Sequence, residues 1–344
     1  QPIVVSADAD VPSGSGSASG TEDTIIAVPI TVGLADTDGS ESIHYVDVTG
    51  VPAGATVSWT SSLGTVTAIT GGFRVEGTTA DIQARLLSLQ IQPPLHSDQN
   101  FTLAVTVQAI ESNPTNGEVY DLTEDTSFNV AVTVAADADT PTAMGGTYAT
   151  EEDTPVALAG IASALIDADG SETLTLQITG VASGASFSTG TNLGGGVWSF
   201  TPAQIAAGIS FTPPLNAHGT YDMTLVSTAT EGENNDAAQN SALIRVVVDA
   251  QADAPAVGTN PVAGVEDTTI LFGNQVSIAL NDGDGSERVD QVTISGLPTG
   301  ATLSWNTGLA GSVSGSGIGP YVITGTEPQI RALLATFAYT PPHD

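Results

Sequence analysis

Short runs of alternating apolar and polar residues recur along the whole chain, while long stretches with the three-to-four spacing of an amphipathic helix are missing. Residues 101–110 read Phe-Thr-Leu-Ala-Val-Thr-Val-Gln-Ala-Ile, one β-strand with a buried and a solvated face, and 127–134, 221–230 and 242–248 follow the same rule. Gly50-Val-Pro-Ala-Gly54, Gly180-Val-Ala-Ser-Gly184 and Gly296-Leu-Pro-Thr-Gly300 mark turns between strands. Helices of one or two turns are predicted at 79–87, 201–209 and 326–334. Each runs into a strand that stops at a Pro-Pro pair (Pro93 and Pro94, Pro213 and Pro214, Pro341 and Pro342), because proline lacks an amide donor and belongs at a strand end or edge. The stretch Ser13-Gly-Ser-Gly-Ser-Ala-Ser-Gly20 reads as flexible low-complexity chain, either a hinge or a solvated loop.

These elements repeat. An acidic linker (Asp8-Ala-Asp10, Asp137-Ala-Asp139, Asp249-Ala-Gln251-Ala-Asp253) precedes a Glu-Asp-Thr (Glu22, Asp23; Glu152, Asp153; Glu266, Asp267). An Asp-x-Asp-Gly-Ser-Glu follows, at Asp36, Asp38 and Glu41, at Asp167, Asp169 and Glu172, and at Asp282, Asp284 and Glu287. The offsets between copies agree, 131 and 115 residues for Asp36, Asp167 and Asp282, and 129 and 114 for Asp10, Asp139 and Asp253. Such register marks tandem units. About seven short strands per unit predict all-β, immunoglobulin-like Greek-key β-sandwiches joined end to end, over residues 1–139, 140–253 and 254–344. The third copy breaks off just after Pro341 and Pro342, so it is expected to be an incomplete sandwich without its last two strands.

Composition narrows the function. The chain of 344 residues has 38 Asp and Glu against five Arg and no Lys, a formal net charge of −33. That excludes direct nucleic-acid binding, which needs clustered cations, and disfavours an anionic membrane surface. No apolar run approaches a membrane span. Cysteine is absent, so disulfides and thiolate metal sites are out of reach. Carboxylates at short fixed spacing are instead the ligands of a hard cation, and calcium takes six to eight oxygens. An EF-hand fails on spacing, since its twelfth position would be Asp47, Ile178 and Thr293 in the three copies. The ligands must therefore come from distant segments, which the sandwich brings together at its ends.

Linker Asp-x-Asp, strand-opening Glu and Asp-x-Asp are laid out in a way that resembles cadherins, and more closely the cadherin-like extender domains of large bacterial RTX adhesins. The resemblance covers nearly the whole chain and implies calcium ions between domains. Carried over, the first internal junction would use Glu22, Asp23, Asp137, Asp139, Asp167, Asp169 and Glu231, and the second Glu152, Asp153, Asp249, Asp253, Asp282 and Asp284. The incoming edge would use Asp8, Asp10, Asp36, Asp38 and Glu111. Glu41, Glu172 and Glu287 could ligate as well, or accept hydrogen bonds from their own loops. The implied protein is an extracellular, bacterial surface spacer that carries a ligand-binding module for attachment and biofilm formation, its partners being calcium and neighbouring domains of the same chain. The other reading gives one domain a glycan- or peptide-binding module of its own.

Catalysis is not expected. The chain lacks Lys, its four His are scattered, and triplicated carboxylate pairs at domain ends are not a dyad facing across one cleft. His96, His218 and His343 all follow a Pro-Pro pair, which suggests exposed loop residues or a shared role. Trp59, Trp198 and Trp305, one per copy, read as core residues or as a sugar platform.

Overall fold

A computed structural model describes residues 9–36, 39–111, 123–167 and 169–343. Among them strands dominate, broken by three short α-helices, Thr79–Leu87, Pro202–Ala207 and Glu327–Leu334. The chain clusters into two compact units, one of Gln1–Ala143, Ser163–Leu176 and Ser227–Asn240, the other of Met144–Ala162, Gln177–Val226 and Ser241–Asp344.

In the first unit the alternating run Phe101–Glu111 pairs antiparallel with Thr123–Ala135 on one edge and with Glu41–Thr49 on the other. Glu41–Thr49 continues to Gly72–Glu76, which pairs in turn with Thr65–Ile69. A second layer holds Ile26–Ala27, Leu89–Gln92 and Thr56–Trp59. The pleat turns alternate residues inward, so that Leu103, Val105, Val107, Val130, Val132 and Val134 share one core with Ile26 and Ile91. The helix Thr79–Leu87 adds Ile82 and Leu86 to that core. It starts where the sequence caps it, since Thr78 and Asp81 exchange side-chain and backbone bonds in a capping box; Thr201 with Gln204 does the same in the next copy.

Residues 13–20 correct the sequence reading, for they form neither hinge nor loop but the strand Ser13–Thr21. Its first half runs antiparallel to Ile30–Gly33 and its second half parallel to Ala131–Ala135, so it lies between these two strands in one seven-stranded sheet. The glycines are there for room. A Cβ on Gly14 would sit 2.1 Å from Phe128, on Gly16 3.0 Å from Val130, and on Gly20 2.6 Å from Ile26. Gly-x-Gly-x-Ala-x-Gly is thus an alternating strand pattern whose inward residues are small.

The second unit repeats the parallel pairing, Gly146–Glu151 against the end of Ala237–Asp249, from Gly146↔Ile244 to Glu151↔Asp249. Val156–Ala157, Ser210–Thr212 and Ser186–Phe187 form a three-stranded layer. In the third copy Ile323, Ile330, Leu333, Leu334 and Phe337 make a small core. Among the described residues its strand Gln291–Ile294 has one partner, Tyr321–Thr324, where the equivalent Glu41–Thr49 has two. The tryptophans are half-buried and pack on core aromatics: Trp59 edge-on to Phe73, Trp198 to Phe187, and Trp305 stacked on Phe337.

Leu103 is fully buried at the centre of the first core. Leu103→Ala should cost about 2–5 kcal/mol, read as a lower urea midpoint for the first sandwich with calcium present; a shift under about 0.5 kcal/mol would contradict this packing.

Candidate metal centres

Each of the two internal linkers is held by two glutamates through its backbone. In the first unit the Asp137 amide donates to Glu22 Oε1 at 2.9 Å and the Asp139 amide to Glu172 Oε1 at 2.7 Å. In the second unit the Gln251 amide donates to Glu152 Oε1 and the Asp253 amide to Glu287 Oε1. At the incoming edge the Asp10 amide donates to Glu41 Oε1. The Glu of Asp-x-Asp-Gly-Ser-Glu therefore binds the linker, which reading the motif by itself does not reveal. Glu41 also bonds within its own loop, accepting the Asp36 amide at 3.3 Å.

Strand pairing puts these groups in place. Glu22 follows the strand Ser13–Thr21, and its amide donates to Ala135 O at 3.0 Å, which seats it beside the start of the linker; Glu152 does the same through Asp249 O at 2.9 Å. Asp23 and Asp153 then take left-handed backbone, φ 56° and 59°, a conformation Asp tolerates better than most residues. Their Oδ1 atoms accept the amides of His96 and Asn216, at 2.7 and 2.8 Å, from the loops that follow Pro-Pro. The Asp-x-Asp loops fold on themselves: Asp167 Oδ1 accepts the Asp169 amide at 2.8 Å, and Asp282 Oδ1 the Asp284 amide at 2.9 Å.

The first junction thus draws together Glu22, Asp23, Asp137, Asp139, Asp167, Asp169 and Glu231. It brings in Glu172, which the sequence left open between ligation and loop hydrogen bonds, and adds residues the sequence did not single out as ligands: Asp98, Asp236 and His96. Asp236 accepts the Ala138 amide at 3.1 Å, and Asn234 donates to Ala136 O at 2.8 Å, so the loop after Glu231 clasps the linker. The recurrence of histidine after Pro-Pro was the one sequence signal that pointed here. In the second unit Glu152, Asp282 and Asp284 bring oxygens within 4.8 Å of one another. Asp153 holds the Asn216 loop, and Asp253 joins through its amide. Asp249 stands at the register of Ala135, exposed at the end of its strand, and Gln251 takes the place that Asp137 has in the first linker. At the incoming edge Asp10 and Asp36 both meet Glu41, and buried Glu111 lies opposite Glu41 in the sheet; Asp8 and Asp38 lie outside the described residues.

The electrostatics are unfavourable for the carboxylates alone. Burial pushes Glu22 up to about 7 against the opposing bond from the Asp137 amide, and Glu231, Asp167 and Asp98 push it further. Burial likewise raises Glu172, Glu231 and Asp137, each with negative neighbours adding to the effect. Oε2 of Glu22, Glu152, Glu172 and Glu287, and both carboxylate oxygens of Glu231, are buried with no hydrogen-bond partner. Orphaned, converging, all-oxygen donors fit a hard divalent cation.

No protein-family model matches the chain, and no curated protein matches it. Among solved structures, human protocadherin-24 EC1-2 is 11% identical over 69% of this chain and 98% of that one, with a TM-score of 0.32. Drosophila N-cadherin EC1-3 is 16% identical over 68% of this chain, with a TM-score of 0.22, and the match spans 64% of its own length. The titin domains z1z2, solved in complex with telethonin, are 8% identical over 71% of this chain and 100% of that one, at 0.27. The fold is cadherin-like and immunoglobulin-like. That statement rests on the sheet order described above, with the first strand of each of the first two copies running parallel to the last. Among the described residues no helix is long and apolar enough to cross a membrane.

A carboxyl whose folded-state pKa is raised binds its proton more tightly folded than unfolded, so stability is greatest at low pH and is lost as pH rises. For Glu22 that window runs from its ordinary 4.5 to about 7. In chelator, the melting temperature should fall as pH rises through this window, and Glu22→Gln should flatten the fall. An equal slope in wild type and variant would show that Glu22 is not buried in this way.

Proposed function

We propose that the chain is a non-enzymatic, calcium-stiffened spacer of a secreted bacterial surface adhesin, holding a ligand-binding module away from the cell for attachment and biofilm formation. The observation that carries this reading is the double grip on each of the two internal linkers by glutamates whose second oxygens are buried without partners. Such a junction suits a load-bearing connection, because linker backbone and both flanking motifs are tied into one set of bonds.

Without a counter-ion the same residues oppose order. Two carboxylates 4 Å apart repel by about 1 kcal/mol in water and by about 4 kcal/mol at an effective dielectric constant of 20. The first junction gathers Glu22, Asp137, Asp139, Asp167, Asp169 and Glu231 with no arginine among them, and the five arginines of the chain lie at positions 74, 85, 245, 288 and 331. Calcium supplies the neutralising charge when bound, at the roughly millimolar to 0.1 mM affinities of extracellular modules. Glu22, Asp23, Asp139, Asp167, Asp169, Glu172 and Glu231 would hold it at the first junction, and Glu152, Asp153, Asp282, Asp284 and Glu287 at the second. A chain with this chemistry is ordered where calcium is plentiful and slack where it is scarce, as suits export followed by extension outside the cell.

Calcium at a hundred times its Kd adds about 2.7 kcal/mol per site to the ordered state, enough to raise the melting temperature by about 10 °C. Chelation should therefore lower the melting temperature by that order, and calcium should restore it. Asp167→Ala with Asp169→Ala should remove the first junction's share of the response while the circular dichroism of the sandwiches persists. A melting curve indifferent to chelator would overturn the proposal.

A further inference from the structure

One difference between the two junctions is a nitrogen donor in the first. His96 Nδ1 stands 2.6 Å from Asp139 Oδ2 and 3.0 Å from Asp23 Oδ2, and the three ligand atoms lie within 4.8 Å of one another. The nitrogen is shut off from water, yet makes no well-directed hydrogen bond to either carboxylate. Its backbone is fixed, with the amide on Asp23 Oδ1 and φ at 54°. Asn216 occupies the same place in the second unit, with φ at 50° and its amide on Asp153 Oδ1, but its side chain donates to Asn281 O at 2.7 Å. His218, two residues on, reaches Asp284 from a more exposed position, outside the three-oxygen group of Glu152, Asp282 and Asp284.

Imidazole nitrogen suits zinc and its first-row neighbours, whereas calcium is a cation for oxygen donors. Ligands about 2.1 Å from a tetrahedral zinc ion stand about 3.4 Å apart, so the observed 2.6 and 3.0 Å would open by about 0.8 and 0.4 Å to admit one. A second observation points the same way. Glu22, next in the chain to Asp23 and 2% exposed, leaves Oε2 buried without a partner.

We propose that Asp23, His96 and Asp139 form a site for a first-row transition-metal dication of the zinc class, present at the first junction and absent from the second. The site shares two carboxylates with the proposed calcium cluster, so the two cations compete there, while the oxygen-only group of the second junction keeps its preference for calcium. The junctions would then answer to different ions, the first to both and the second to calcium alone.

The test uses the full chain, stripped of metal and titrated with Zn²⁺ by calorimetry. The unmodified chain should show a zinc site that His96→Asn, the residue found at position 216, weakens at least about tenfold. His218→Asn should leave it in place, and calcium affinity at the second junction should stay within about twofold in His96→Asn. In the unmodified chain the ring-nitrogen resonances of His96 should shift on adding zinc, a readout that needs no variant to fold. Equal zinc affinity with and without His96, or unmoved His96 resonances, would overturn the proposal. Failure of calcium binding with zinc binding retained would instead count against the spacer reading alone.

Discussion

The arrangement depends on one compromise: buried carboxylates hold linker amides with one oxygen and leave the other without a protein partner. A glutamate 2% exposed, as Glu22 is, loses most of its hydration, and the single Asp137 amide does not replace it. The rest of the junction follows. Asp167 and Glu231 are also buried, and their negative charge raises the affinity of the cluster for any cation while making it unfavourable without one. Linker order and charge neutralisation are therefore one event.

The sandwich architecture makes this geometry repeatable. Because the first strand of each of the first two copies ends parallel to the last, the residue that follows it meets the chain as it leaves the domain; Glu22 and Glu152 occupy that point. The second grip comes from the next copy, at Glu172 and Glu287, three residues after an Asp-x-Asp turn that closes on itself. Between them the two motifs fix the linker at alternate residues, 137 and 139 or 251 and 253. Gln251 fits in the place of Asp137 because what the site uses there is the backbone amide.

Much of this was legible in the sequence. The alternating runs 101–110 and 221–230 became Phe101–Glu111 and Gly219–Glu231, and the helix at 79–87 was found with its capping residues. The acidic motifs gave the members of the junction because their repetition in register is hard to reconcile with solvated turns. What the sequence hid depended on partners. Gly-Ser alternation in residues 13–20 resembles a linker until Phe128, Val130 and Ile26 are seen to need the space above the glycines. Glu172 and Glu287 looked like loop residues because their partner is a backbone amide more than 30 residues away, which carries no residue signature. Asp98, His96 and Asp236 belong to loops that meet the linker only once both sheets are built.

The central claim is that linker order and neutralisation of buried carboxylates are coupled, and amide hydrogen exchange at Asp137, Asp139, Gln251 and Asp253 measures it most directly. The account predicts protection at all four amides in saturating calcium, with exchange at least about tenfold faster in chelator while the amides of Leu103 and Val105 in the core stay protected. Equal exchange at the linker amides with and without calcium would contradict it.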